Sequence, residues 1–227
     1  GAGANTVVVG AGDDNVTTGA GDDTITTGGG DDTVSSGAGD DSIDVSGGAG
    51  NVTVTSGAGN DIVTLGGTLT ADDSVDLGDG DADILADTSA GFATTEADAD
   101  ILATISGAEI LRVTDDMDND LDASEFGVNY VQLADDVTDG TVAGAEFAIN
   151  GLTSGATIEL RDFADMSDTL TVGITGAQAA GTPSDTVNLN LNADLTGAGG
   201  PDAIAYNFDV AGINIVNIEA NDRDNED

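Results

Sequence analysis

The chain has 227 residues, with 44 Asp plus Glu against 3 Lys plus Arg and a formal charge of −41. That balance excludes nucleic acid and anionic membrane surfaces as partners and favours cations. Cysteine and histidine are absent, which removes disulfides, thiolate metal sites and imidazole-bound zinc or iron. Charge this high normally accompanies disorder, yet 39% of residues are apolar and short β-branched runs recur throughout. No run resembles a transmembrane helix or a signal peptide. Residue 1 lies inside a repeat with no initiating Met, so the sequence is expected to be a fragment of a longer chain.

The first third keeps a nine-residue beat. From Gly10 the blocks read GAGDDNVTT, GAGDDTITT, GGGDDTVSS and GAGDDSIDV, ending at Val45. A looser copy, GAGNVTVTS, starts at Gly48, and GAGNDIVTL follows at Gly57. The leading GAGANTVVV keeps the phase, with Asn5 where later copies place the second aspartate. A fixed period of this kind predicts a solenoid.

Each block reads as a metal half-loop followed by a short strand. The glycine pairs Gly10 and Gly12, Gly19 and Gly21, Gly28 and Gly30, and Gly37 and Gly39 allow a sharp turn that presents carbonyl oxygens to a common point. The second aspartates, Asp14, Asp23, Asp32 and Asp41, add hard anionic oxygens of the kind Ca²⁺ gathers, six to eight at about 2.3–2.6 Å. The first aspartates, Asp13, Asp22, Asp31 and Asp40, are further candidates, as are Asn60 and Asp61 in the copy at Gly57. Val16, Ile25, Val34 and Ile43 are apolar and β-branched, and are expected to point inward while their Thr and Ser neighbours point out. Two blocks make one turn, so Asp14 stacks over Asp32 and Asp23 over Asp41. Val52 occupies the aspartate slot of the copy at Gly48, which predicts a weak or empty site.

From Gly66 the beat stretches. Asp73 regains the slot after three extra residues, whereas GDGDADIL at Gly78 puts Ala82 there and leaves Asp79, Asp81 and Asp83 as an acidic loop. One apolar side chain per block offsets only part of the entropy lost by nine ordered residues. Rows of carboxylates also repel. Several Ca²⁺ ions are therefore expected to supply folding energy to the roll.

These blocks resemble the RTX (haemolysin-type) calcium-binding repeat, GGxGxDxUx. The likeness holds at the second and third glycines, the aspartate and the apolar position. It departs at the first glycine, where Thr18, Thr27 and Ser36 stand. The resemblance runs from about residue 10 to 65, fades by about 86, and implies a parallel β-roll of a secreted bacterial protein.

The second half changes character. Alternating segments ILRV near Ile110, YVQL near Tyr130, TIEL near Thr157, TLTVGI near Thr169, TVNLNLN near Thr186 and INIVNI near Ile213 are separated by Gly, Asp, Asn and Ser. Such spacing fits a β-helix with irregular rungs or a β-sandwich; continuity with the roll favours the former, coiling right-handed. The fold class expected is all-β, a β-solenoid. A calcium-bound parallel β-roll over 1–86 continues into a right-handed parallel β-helix over 87–227. Residues 117–127 are the best short helical candidate. Thr114 to Phe126 can be laid on an EF-hand loop, with Asp116, Asp118, Asp122 and Glu125 at ligand positions and Asn119 at the turn. Thr114 replaces its first aspartate, however, and the preceding residues read as a strand. Calcium coordination by Asp116 and Asp118 competes there with a plain solvated acidic loop.

The stretch from Ile105 to Asp136, followed by LTSGATIELRDF, DTLTVGITGA, DTVNLNLNADL and INIVNIEAND, resembles bacterial surface-layer proteins of the RTX type. That resemblance implies type I export and a self-assembling sheet or filament at the outer surface of a Gram-negative cell, with Asp79, Asp81 and Asp83 adding calcium sites at rungs or subunit contacts. Its partners are calcium, other copies of the chain and a cell-surface polysaccharide, with no nucleic acid and no membrane insertion. The alternative is a calcium-dependent folding and secretion module of a type I-secreted adhesin or enzyme. Catalysis within the segment is not expected, because there is no Trp and no Ser–His or Cys–His combination. Arg112 and Arg161 are expected to pair with carboxylates. The pairs Thr17-Thr18, Thr26-Thr27 and Ser35-Ser36 resemble a short ice-binding ladder, although outward Thr is the default for an exposed strand.

Overall fold

The computed structural model describes residues 1–67, 69–115, 117, 119–134, 146–161, 169–174, 186–192, 208–209 and 215–220. They fall into two compact units, Gly1–Leu111 and Arg112–Asp227.

In the first unit the nine-residue blocks become β1 (Thr6–Val8), β2 (Asn15–Ala20), β3 (Thr24–Thr26), β4 (Asp32–Ala38), β5 (Ser42–Asp44), β6 (Val52–Ala58) and β7 (Ile62–Thr64). Then come β8 (Ser74–Asp76), β9 (Ile84–Asp87), α1 (Ser89–Glu96), α2 (Ala99–Leu102) and β10 (Ile105–Ser106). Odd strands stack in one sheet, β1-β3-β5-β7-β9, and even strands in another, β10-β8-β6-β4-β2. Every pairing within them is parallel. Val16 pairs with Val34 and Ile25 with Ile43, so two blocks make one turn, as expected. Later rungs lengthen: Val34 pairs with Val54, and Val63 with Leu85. All added length falls in corners, which tolerate insertion better than the paired strands.

The core consists of two aliphatic columns. Val16, Val34, Val54 and Val75 fill one sheet's inner face and Ile25, Ile43, Val63 and Leu85 the other's, none more than 6% exposed. Strand alternation carries the next inward position two residues on. That position buries Thr27, Ser36 and Ser56, together with Val45, Leu65 and Leu77. The expectation that Thr and Ser all face solvent is therefore corrected: the second hydroxyl of a pair lies inside. There Thr18 Oγ1 donates to the Ser36 carbonyl at 2.8 Å, Ser36 Oγ to the Ser56 carbonyl at 2.8 Å, and Ser56 Oγ to the Leu77 carbonyl at 2.6 Å. Thr17 stays exposed, so the paired hydroxyls do not form one outer array.

The helices between β9 and β10 were not anticipated. Thr88 caps α1 by accepting from the Gly91 amide, Asp98 caps α2 through the Asp100 amide, and Phe92 is buried. The predicted helix over 117–127 is instead the short strand β12 (Leu121–Asp122) followed by a turn at 123–127.

In the second unit, β11 (Ile110–Val113) contributes Arg112 and Val113. It is followed by β12, β13 (Tyr130–Leu133), β14 (Glu146–Leu152), β15 (Ala156–Arg161), β16 (Thr169–Ile174), β17 (Thr186–Asn192), β18 (Phe208–Asp209) and β19 (Ile215–Ala220). The orders are β11-β13-β15-β17-β19 and β12-β14-β16-β18. Tyr130 pairs with Thr157, Thr157 with Asn188 and Asn188 with Asn217, all in parallel strands. Val131, Ile158 and Val187 are buried from one sheet, and Leu121, Ile149 and Val172 from the other. Parallel pairing rules out the antiparallel sandwich. Both units have the parallel-sheet architecture of a β-roll and β-helix solenoid.

Candidate metal centre at the glycine-aspartate corners

Corners leading into odd strands form one edge of the first unit, and corners leading into even strands form the other. The glycines let successive corners lie backbone on backbone. Gly30 has φ +125°, and a Cβ added there would sit 2.5 Å from the Gly12 carbonyl carbon; a Cβ on Gly37 would sit 2.0 Å from the Gly19 carbonyl oxygen. The amides of Gly12, Gly21, Gly30 and Gly39 donate to carbonyls of the following turn at 2.6–3.0 Å. A side chain at Gly30 or Gly37 would pry these turns apart.

The two aspartates of a pair then act in opposite directions along the stack. The second aspartate reaches back. At the odd edge, Oδ1 of Asp23, Asp41, Asp61 and Asp83 accepts in turn from the backbone amides of Asn5, Asp23, Asp41 and Asp61 at 2.7–2.8 Å. At the even edge Asp32 Oδ1 accepts from the Asp14 amide at 3.0 Å. The first aspartate reaches forward. Asp13 and Asp22 accept from the amides of Asp31 and Asp40 at 3.0 Å, Asp31 from Asn51 at 2.9 Å, and Asp40 from Asn60 at 2.8 Å.

Burial separates these rows. Asp13, Asp22, Asp31, Asp40, Asn60, Asp79 and Asp81 are exposed, and Asp14 is half-buried. Asp23, Asp32, Asp41, Asp61 and Asp83 are at most 2% exposed. In each of those five, Oδ2 is buried with no hydrogen-bond partner. An ionised carboxylate cannot remain so in a protein interior without a compensating charge. Among the described residues the one ion pair is Arg161 Nε to Glu159, at 3.9 Å, in the second unit and outside these corners. Arg112 also lies elsewhere, with Nε donating to Gln132 Oε1 at 2.8 Å.

The electrostatics follow. Burial first, then the charges of Glu109 and Asp61, pushes Asp83 up to about 6. Burial also raises Asp61. Among the described residues no three acidic side chains converge on one point. A cation here would take one or two carboxylate oxygens and complete its shell from corner carbonyls. An all-oxygen donor set with orphaned anionic oxygens fits Ca²⁺.

Two slots depart from the repeat. Val52 stands at the even edge where an aspartate belongs, and its amide is capped by Asp73 Oδ1 at 2.6 Å. Asp73 Oδ2 accepts from the Thr70 amide and hydroxyl at 2.6 and 3.1 Å, so both its oxygens are engaged. At the odd edge Asp83, not Ala82, fills the slot, correcting the sequence alignment. A longer corner shifts the register so that Ile62 pairs with Ile84. Sequence reasoning missed Glu109, whose Oε2 accepts from the Asp83 amide at 2.9 Å. Its signal was an acidic residue directly before two apolar ones, as in Asp61-Ile62-Val63, Asp83-Ile84-Leu85 and Glu109-Ile110-Leu111. In the EF-hand-like segment Asp116 and Asp118 lie outside the described residues. Asp122 Oδ1 accepts from the Ser124 amide and hydroxyl, and the preceding element is strand β11 rather than a helix.

No curated protein and no solved structure matches the chain. A family model for RTX calcium-binding nonapeptide repeats, four copies long, matches residues 1–34, 8–43 and 44–67. Residues 1–67 therefore carry RTX calcium-binding repeats, sequences that form β-rolls and bind several Ca²⁺ ions.

Proposed function

We propose that this chain is a calcium-folded β-solenoid of a secreted bacterial protein with a structural role, building a self-assembling cell-surface layer or extracellular fibre. The observation that carries the reading is the row of buried, unpartnered Oδ2 atoms on Asp23, Asp32, Asp41 and Asp61. Asp14 completes this set of second-aspartate ligands. Carbonyl groups of the corner glycines Gly10, Gly12, Gly19, Gly21, Gly28, Gly30, Gly37 and Gly39 would fill the remaining positions. The exposed Asp13, Asp22, Asp31, Asp40 and Asn60 line the rim, and Asp73 acts as a loop clamp. Bound calcium supplies the positive charge that lets the carboxylate rows lie in register. Sites of this extracellular kind have dissociation constants of roughly 10⁻⁴–10⁻³ M and stay empty at cytosolic calcium levels, which supports action outside the cell.

The assembly part of the reading rests on charge and on resemblance. Copies carrying −41 repel one another over a range of about 8–10 Å at physiological salt. Their contacts therefore call for divalent bridging. The strands from β11 to β19 follow the rungs that resemble surface-layer proteins, and a cell-surface polysaccharide is the anchor this reading favours. A calcium titration followed by circular dichroism, light scattering and electron microscopy tests both parts. β-structure is expected to form first, followed by ordered assembly that chelation dissolves. A β-rich spectrum unchanged by EGTA would refute calcium-dependent folding. A folded protein that stays monomeric across millimolar calcium would refute the layer and leave the second reading, a folding and secretion module. That second reading is favoured by the confinement of the repeat match to residues 1–67.

A further inference from the structure

The carboxylate row at the odd edge does not stop where the nonapeptide stops. Beyond residue 67, where the repeat match ends, the corner at 78–83 is one residue longer than its predecessor at 57–61 and carries the sequence GDGDAD. Its last aspartate still occupies the repeat's slot. Asp83 is 0% exposed, its Oδ1 accepts from the Asp61 amide at 2.7 Å, and its Oδ2 is buried without a hydrogen-bond partner. A Cβ built on Gly80 would lie 2.5 and 2.6 Å from the two carboxylate oxygens, so the carboxylate is folded into its own corner, over a glycine.

The next carboxylate along the edge arrives after a 26-residue excursion through α1 and α2. Glu109 Oε2 accepts from the Asp83 amide at 2.9 Å, the bond that each second aspartate makes to the rung before it. The backbone amides of Glu109 and Ile110 both donate to the Asp83 carbonyl, at 3.1 and 3.0 Å. A glutamate therefore closes the row. Its longer side chain lets a rung that has lost the glycine-aspartate corner still present a carboxylate to the preceding one.

We infer that the rung of Asp83 is a further calcium site, one turn beyond the repeats, closed by Glu109 in place of an aspartate. The inference rests on the reading of the repeats as calcium sites. An ionised Asp83 demands a cation, and no basic side chain pairs with it among the described residues. Oxygen donors on both sides make that cation a hard divalent ion. Because Glu109 follows the helical excursion, an ion at this rung also ties residues 88–104 to the roll.

Calorimetry on the full chain, native and with Asp83→Asn or Glu109→Gln, counts the ions bound in calcium. Amide exchange is followed over residues 84–111 in the same samples. Each variant is expected to lose one ion and the calcium-dependent protection of residues 84–111, while the circular dichroism of the repeats is retained. Glu109→Gln alters a half-buried residue without changing its shape, so the site remains testable if Asp83→Asn folds poorly. Ion counts and protection equal to the native chain in Glu109→Gln would overturn the site and leave the repeat reading standing. A native chain that takes up no calcium at all would overturn both.

Discussion

At Gly30 a single methyl group has no room. The torsion is +125°, and the added carbon would fall 2.5 Å from the backbone of Gly12. Gly12 has nearly the same torsion, +124°, but nothing within 4 Å of its would-be methyl. The two positions separate torsional strain from steric stacking. Gly30→Ala is expected to cost on the order of 2–4 kcal/mol and Gly12→Ala about 1–2 kcal/mol, read from denaturant midpoints in saturating calcium. Equal losses would mean that the corners do not stack as tightly as described.

Asp83 carries a pH signature. Its folded-state value is raised to about 6, above the unfolded carboxylate value of about 3.9, so the folded, metal-free chain holds the proton more tightly. This contribution to stability is fully present below about pH 4 and is lost as pH rises through about 6. In EGTA the β-signal is expected to grow as pH is lowered from 7 to 4.5, and Asp83→Asn to flatten that trend. In calcium the trend reverses, since protons compete with the ion and affinity weakens on acidification through the same window. A β-signal in EGTA that grows with rising pH over this range would contradict the buried position of Asp83.

At the scale of elements, the two edges make an internal experiment. The odd edge has an unbroken row from Asn5 through Asp83, whereas Val52 interrupts the even edge between Asp32 and Asp73. Val52→Asp is expected to add one bound calcium and raise the melting temperature in calcium. Calorimetric stoichiometry with thermal melts in calcium checks this; no change in ion count would mean that the even edge does not bind as the odd edge does.

The strands and their pairing were legible in the sequence because the beat is both chemical and geometric. An apolar residue every nine positions fixes which side of each strand faces in. What escaped reading was local. The helix at Ser89–Glu96, SAGFATTE, has no apolar stripe and a single large side chain, Phe92, to bury, so periodicity gave no signal; its evidence was the capping Thr88. Residues 117–127 have three large apolar side chains, Met117, Leu121 and Phe126, but 121–127 are spent on β12 and a turn. Asp83 was placed one residue off because a corner can absorb an insertion that a strand cannot. The inward hydroxyls of Thr27, Ser36 and Ser56 were misjudged by residue type, although alternation from Ile25, Val34 and Val54 already pointed them inside.

For the whole molecule, the net charge of −41 sets what salt can do. Monovalent salt screens repulsion between exposed carboxylates but does not enter buried corners as a ligand. Raising NaCl to about 0.5 M in EGTA is expected to compact the chain without restoring its β-spectrum, and millimolar calcium to restore it. Small-angle scattering beside circular dichroism distinguishes the two. Full recovery of β-structure in NaCl alone would show that repulsion, not ligation, was the missing term.

The opposed reach of the paired aspartates has a consequence for how the roll comes apart. In the corners at 22–23, 31–32 and 40–41, one carboxylate is committed to the turn ahead and the other to the turn behind. No turn is finished by its own residues, so an isolated one has nothing to close against. Like a zip whose teeth engage from both directions, the roll resists opening in its middle and must peel from an end, so deleting an interior turn should damage it more than trimming a terminal one.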